Sequence, residues 1–178
     1  MNEELIIAGF GGQGVLSMGM TLAYAGMVED KQVAWIPSYG PEMRGGTANC
    51  TVIVSDTNVS SPIISSYDTV IVLNQPSLEK FEPKVKPGGI LIYESNNIMA
   101  PPTRKDIDIY AIPAAIEATK IGNKKTMNMI ILGAFLAKRP LVSVTSIMEG
   151  LSKVLPERNH HLLPINEEAL KCGMSLIK

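Results

Sequence analysis

Gly9-Phe10-Gly11-Gly12-Gln13-Gly14 could cradle an anion. It follows the apolar run Leu5-Ile6-Ile7-Ala8 and opens the apolar-rich segment Val15 to Val28, an order that predicts strand, glycine turn and helix. Glycines let the chain turn tightly and let an anion or another backbone come close. The first amides of the helix have no internal partner and favour negative charge. Gly9, Gly11 and Gly14 also satisfy the spacing of a dinucleotide fingerprint. That fingerprint needs an acidic residue about 20 positions further on to hold a ribose hydroxyl. The second apolar run, Gln32-Val33-Ala34-Trp35-Ile36, ends in Pro37-Ser38-Tyr39-Gly40-Pro41 with no carboxylate at its tip, and Glu29 and Asp30 precede it. A bound dinucleotide is therefore disfavoured. The plain alternative is that the glycines only let helix and strand pack closely.

Ser38-Tyr39-Gly40-Pro41-Glu42-Met43-Arg44-Gly45-Gly46 is rich for a connector. Its glycines can place bare amides against a partner. Arg44 can make a forked contact with a carboxylate or phosphate, and Tyr39 offers a flat face and a hydroxyl. Arg44 could equally pair with Glu42 or cap a helix end, so ligand contact and subunit contact both stay open. Asn74 falls at a predicted strand tip, as a helix cap for Pro76 onward or as a cleft contact. Asn128, inside an apolar helix, needs partners for its amide and is expected to tie that helix to a neighbouring loop or subunit. The adjacent His160 and His161 point apart on any regular element, which favours a surface or helix-start role over metal binding. Cys50 reads as a small buried side chain, and Lys124-Lys125 as a solvated turn.

Strands are predicted at Glu4–Ala8, Val33–Ile36, Ala48–Val54, Thr69–Leu73, Ile90–Tyr93 and Ile107–Ala111. The first, second and fourth are continuous apolar runs suited to central strands covered on both faces. Along Ala48–Val54, Thr47, Asn49 and Thr51 alternate with Ala48, Cys50 and Val52, which suits an edge strand or one lining a cleft. Helices are predicted at Val15–Val28, from Pro113 to Gly122-Asn123, and over Thr126–Ala137, Ser143–Val154 and roughly Pro164–Leu176. The expected architecture is one α/β domain over residues 1–178. It has a doubly wound, mostly parallel sheet, helices on both faces and a helical C-terminal part. Ligands of such sheets bind beyond the carboxyl ends of the strands. The loops Phe10–Gly14, Pro37–Gly46 and Asn74-Gln75-Pro76 should therefore meet along one edge.

Hydrophobic residues make up 46% of the 178 positions and charged ones 19%, which excludes disorder and leaves room for an apolar surface covered by a partner, or by a second copy when the chain is isolated. Sixteen basic residues nearly cancel seventeen acidic ones, and aromatics are only 5%, so nothing favours nucleic acid. No apolar run reaches the roughly 18 residues of a membrane span. The two cysteines, Cys50 and Cys172, cannot by themselves hold a cluster or structural zinc. A reducing, cytoplasmic compartment is expected.

Gly9–Gly14 (GFGGQG), Ser38–Cys50 (SYGPEMRGGTANC) and Gly122–Leu132 (GNKKTMNMIIL) together resemble the gamma subunit of 2-oxoacid:ferredoxin oxidoreductases. The resemblance covers nearly the whole chain, with the motifs in the family's order and spacing. Glu42-Met43-Arg44-Gly45-Gly46-Thr47-Ala48-Asn49-Cys50 looks like the 2-oxoglutarate and branched-chain 2-oxoacid enzymes, with 2-oxoglutarate preferred here, whereas pyruvate enzymes tend to carry two arginines followed by Gly-Ala. A similar domain occurs as the small subunit of indolepyruvate oxidoreductase. The resemblance implies oxidative decarboxylation of a 2-oxoacid on thiamine diphosphate, electron flow through iron–sulfur clusters to ferredoxin, and acyl transfer to coenzyme A. It places thiamine diphosphate mainly on alpha and beta subunits, and clusters on a delta or beta subunit. This chain would then complete the cofactor and coenzyme A cleft through Gly11, Gly12, Gln13, Gly14, Tyr39, Gly40, Pro41, Arg44, Gly45 and Asn74. No residue of its own would be catalytic or bind metal.

Overall fold

A computed structural model describes residues 2–38, 47–58 and 64–177. Its single sheet has six strands: β1 (Asn2–Phe10), β2 (Gln32–Ser38), β3 (Thr47–Ser55), β4 (Tyr67–Val72), β5 (Val85–Glu94) and β6 (Asp108–Ile112). They lie in the order β2-β3-β1-β4-β5-β6. β1 with β4, β4 with β5 and β5 with β6 are parallel, while β3 is antiparallel to both β1 and β2. The sheet is thus mixed with a parallel majority. Residues 39–46 are too few for a crossover, which needs about a dozen, so β2 and β3 must run in opposite directions.

Among the described residues there are six α-helices: α1 (Val15–Val28), α2 (Gln75–Phe81), α3 (Ala114–Ile121), α4 (Met127–Lys138), α5 (Val144–Val154) and α6 (Leu163–Ser175). All but α2 fall on the five predicted helical segments, and α2 is signalled in the sequence only by the candidate cap Asn74 before Pro76. α1 covers β1, β2 and β3, and α4 covers β5. Behind them, α5 packs on α1 and α6 on α4. On the opposite face α2 covers β1 and β4. The apolar run of β1 divides between two cores: Leu5 and Ile7 face the α1–α4 side, and Ile6 and Ala8 face the α2 side with Leu78 and Phe81. That is why Leu5–Ala8 of β1 and Val70–Val72 of β4 are apolar at every position.

Two expectations about strand position are corrected. β2 is an edge strand, not a central one; it carries Pro37, which cannot donate to a ladder and so suits an edge. β3 lies between β2 and β1, so its polar residues do not mark an edge. Its Ala48, Cys50 and Val52 are buried, while Thr47, Asn49 and Thr51 are half-buried.

α4 and α6 cross at two glycines. A Cβ on Gly133 would sit on the Leu170 carbonyl oxygen, and one on Gly173 on that of Ile130. The backbones therefore touch, with no room for a methyl group on either side. Gly133→Ala is expected to destabilise the chain by about 1–3 kcal/mol through overpacking. It should lower the urea midpoint at constant slope, and an unchanged midpoint would contradict this crossing.

Candidate functional site

β1 runs into the glycine turn with its last residue, Phe10, paired to Thr47 of β3. Gly12 and Gly14 take positive φ, 90° and 77°, where a side chain is strained. The Gln13 amide N–H donates to the Phe10 carbonyl at 3.2 Å and closes the turn. The Gln13 side chain then spans two strand ends. Its Oε1 accepts the Phe10 N–H at 2.6 Å, and its Nε2 donates to the Leu73 carbonyl beyond β4 at 3.2 Å. β1 and β4 are the strands at which the chain reverses its winding direction, with α1 on one face and α2 on the other. In open α/β sheets this switch point is the usual ligand crevice. Here Gln13 bridges it.

The open cleft lies beside it, around the start of α1. It has a volume of about 440 Å³. Gly12, Gln13, Gly14 and Ser17 form one wall; Asn123 to Asn128 form a second; Leu151, Leu155, Asn159, Leu162 and Asn166 close it from α5, α6 and the segment between them. Helix α1 starts at Gly14 with no side-chain cap and no acidic residue in its first turn. The Met18 N–H makes the first helical bond, to the Gly14 carbonyl at 2.9 Å, which leaves the amides of residues 15–17 without an intrahelical acceptor. Among the described residues no Asp or Glu lines the cleft, whereas Lys124 and Lys125 do. Asn128 reaches the turn as expected: its Nδ2 lies 3.5 Å from the Gly14 carbonyl oxygen, and its Oδ1 accepts the Met129 N–H at 2.9 Å. A Cβ on Gly14 would meet Asn128 Nδ2 at 2.5 Å, so only glycine lets α4 approach.

Of the ten residues expected at the cleft, Gly12, Gln13 and Gly14 line it, and Gly11 is exposed on the same turn. Tyr39, Gly40, Pro41, Arg44 and Gly45 lie outside the described residues. The ends of their segment, Ser38 and Thr47, do lie at the sheet edge where β1 ends. Asn74 sits elsewhere. It is buried, its Oδ1 accepts the Ser77 N–H at 2.9 Å, and of its two candidate roles the structure shows the helix cap. Lys124, Lys125, Asn159 and Asn166 were not expected in a site; they come from the turn before α4, the turn before α6 and α6 itself, far from the glycine turn in sequence, and only the GNKKTMN motif marked part of the set.

Strand order also removes the ribose contact of a dinucleotide site. There the second strand lies beside the first; here β3 intervenes, so the tip of β2 stands about 10 Å from β1, at two strand spacings. His160 is structural, its Nε2 facing the Ser152 and Leu155 carbonyl oxygens at 3.0 Å each. Among the described residues no group of three metal-ligating side chains occurs, and no helix is long and apolar enough to cross a membrane.

Residues 4–176 match the pyruvate ferredoxin/flavodoxin oxidoreductase family. The chain belongs to that family. It is 32% identical over 184 aligned positions to the 2-oxoglutarate synthase subunit KorC of Methanothermobacter marburgensis, covering 99% of this chain and 97% of the relative. It is 44% identical over 131 residues to the ketoisovalerate oxidoreductase subunit VorA of Methanothermobacter thermautotrophicus, covering 74% of this chain but only 27% of that longer relative. Among solved structures, the gamma subunit of a keto/oxoacid ferredoxin oxidoreductase from Geobacter sulfurreducens superposes with a TM-score of 0.83 at 27% identity, over 98% of this chain and 97% of that one. A 2-oxoglutarate:ferredoxin oxidoreductase chain from Magnetococcus marinus, determined with 2-oxoglutarate, coenzyme A and succinyl-CoA, gives 0.87 at 25% identity; this chain spans 98% of its own length there and 31% of the other. The similarity is therefore to a gamma-type domain, which stands alone in some relatives and forms part of a longer chain in others.

Two predictions test the local geometry. Gln13→Ala removes both side-chain bonds at the switch point and should cost about 1–3 kcal/mol, read as a lower thermal midpoint; an unchanged midpoint would show that the bridge contributes nothing. Cys50 is fully buried, and burial pushes its thiol up to about 12. A raised pKa keeps it protonated at every pH below that value. In the native chain at pH 8, iodoacetamide should therefore modify only Cys172, and equal labelling of both thiols would contradict the packing around Cys50.

Proposed function

We propose that this chain is the gamma-type subunit of a thiamine-diphosphate-dependent 2-oxoacid:ferredoxin oxidoreductase. With alpha, beta and delta subunits it would convert a 2-oxoacid and coenzyme A to acyl-CoA and carbon dioxide, in a cytoplasmic complex. Ferredoxin would accept the electrons through iron–sulfur clusters on the partners. The observation that carries the proposal is the cleft at the glycine turn, lined by no acidic side chain among the described residues and set at the sheet edge in a fold shared with such subunits. Its bare amides and two lysines fit the phosphates of a cofactor or coenzyme A. Thiamine diphosphate, when bound between the partner subunits, supplies the carbanion chemistry. This chain would orient and shield, through Gly11–Gly14 and the Tyr39–Gly45 segment with Arg44 as an anion contact.

Whole-length similarity to KorC supports 2-oxoglutarate as substrate. The higher identity to VorA over residues of a longer protein supports the second choice, a branched-chain 2-oxoacid such as ketoisovalerate. The complex copurified from its source, assayed with a panel of 2-oxoacids, decides between them. 2-Oxoglutarate should give the highest kcat/KM; a preference for ketoisovalerate or indolepyruvate would replace it. In the same complex Arg44→Ala should raise the coenzyme A KM about tenfold, the loss of one charge-assisted contact. An unchanged KM and rate would remove Arg44 from that role.

A further inference from the structure

We infer that β2 and the exposed side of α1 form a self-association surface, through which two copies of this chain pair their edge strands antiparallel into one continuous sheet. The inference stands apart from the proposed function and uses none of the cleft residues. β2 ends the sheet on its side, and among the described residues no strand pairs with its outer edge. Such an edge is a template for another strand, and proteins ordinarily blunt it with charged side chains. Here Gln32–Ser38 (QVAWIPS) carries no charge. Beside it, Met20, Ala23, Tyr24 and Met27 of α1 and Val33 and Trp35 of β2 line an apolar groove of about 310 Å³, again with no charged side chain among them. Tyr24, Met27 and Val28 are exposed along this side of the helix, a cluster of the kind that marks an interaction surface.

The backbone specifies what fills it. Pro37 lies opposite Cys50 of β3 and has no N–H to give it. The parity that loses no ladder bond turns Val33, Trp35 and Pro37 outward and Gln32, Ala34 and Ile36 toward β3. Val33 and Trp35 then each present an N–H and a C=O beyond the edge. A second β2 running antiparallel answers both. Val33 of one copy exchanges two hydrogen bonds with Trp35 of the other, and the two-fold axis passes between the two copies of Ala34. In this register Gln32 faces Ile36, and no charged side chain of the strand opposes another. The same axis keeps both α1 helices on one side of the joined sheet, so Tyr24 and Met27 of each copy meet the groove of the other. A second copy thus supplies strand and apolar face together, by symmetry. β2 has seven residues and is about 24 Å long, and strand plus helix make a strip about 20 Å deep. Two copies cover roughly 1,000 Å² in total, the lower limit for a specific interface, so the dimer is weak and reversible.

The test is sedimentation velocity of the full-length isolated chain from about 1 to about 300 µM, with a dimer midpoint expected on the order of 10 µM. Met27→Lys sets a charge in the groove at a position 56% exposed. It should keep the wild-type thermal midpoint in dilute solution and raise the dimer midpoint at least about tenfold. Ala34→Cys reads the register. The two copies of residue 34 form the non-hydrogen-bonded pair on the axis, with Cα atoms about 4.5 Å apart, within reach of a disulfide. In a Cys172→Ser background it should cross-link under diamide. Gln32→Cys in the same background should not, because its two copies stand about 14 Å apart. A monomer at every concentration, an unchanged dimer midpoint in Met27→Lys, or equal cross-linking of Ala34→Cys and Gln32→Cys would overturn the pairing. A monomer whose β2 amides gain protection from hydrogen exchange only when alpha and beta subunits are added would give the edge to a partner's strand and overturn it too.

Discussion

The side-chain amide of Gln13 fixes the end of β1 against the end of β4, and the arrangement of the site follows from that contact. One carboxamide satisfies the Phe10 N–H and the Leu73 carbonyl, two backbone groups at strand tips that would otherwise face the crevice unpaired. Holding them sets the turn that presents Gly12 and Gly14 in the left-handed region and points α1 away from the sheet edge. It also fills the place where a doubly wound sheet ordinarily takes its ligand. The accessible space is displaced to the flank of α1, against α4 to α6.

The helical C-terminal part is therefore a wall of the site as well as a cover for the sheet. α4 comes close enough for Asn128 to touch the Gly14 carbonyl because Gly14 has no side chain in the way. α6 comes close to α4 because Gly133 and Gly173 have none either. Those two backbone contacts carry Lys124–Lys125 and Asn159 to the glycine turn from positions more than a hundred residues away in sequence. The site is built by close packing of backbones, and its chemistry comes from amides and ammonium groups that bind and orient. Under the proposed function, these are the groups a subunit needs when the reacting cofactor is held on its partners.

Much of the fold was legible from residue pattern. Continuous apolar runs marked β1 and β4 as central, and glycine and proline punctuation bounded the helices closely: Ser143 caps α5, and Gly122 ends α3 in the left-handed conformation. The position of β2 was harder. Val33–Ile36 has the composition of a covered strand, and one half-buried face against α1 asks for the same residues; Pro37 was the sign of an edge. The antiparallel insertion of β3 followed from the shortness of its connection to β2, while its alternating polar residues recorded partial cover on one face and said nothing about neighbours. The glycine turn announced half of the cleft. The other half was silent, because two consecutive lysines look the same whether they face bulk water or a cavity, and only the packing of α4 on α6 decides which.

The central claim is that this chain completes a reaction chamber owned by its partners and makes no bond unaided. Ferredoxin reduction by the alpha–beta–delta assembly, measured with 2-oxoacid and coenzyme A as the purified chain is added back, tests it most directly. Activity should be low without the chain, rise to a plateau at one chain per alpha–beta pair, and stay at zero for the chain alone. Full activity without it, or turnover of any 2-oxoacid by the solitary chain, would contradict the account.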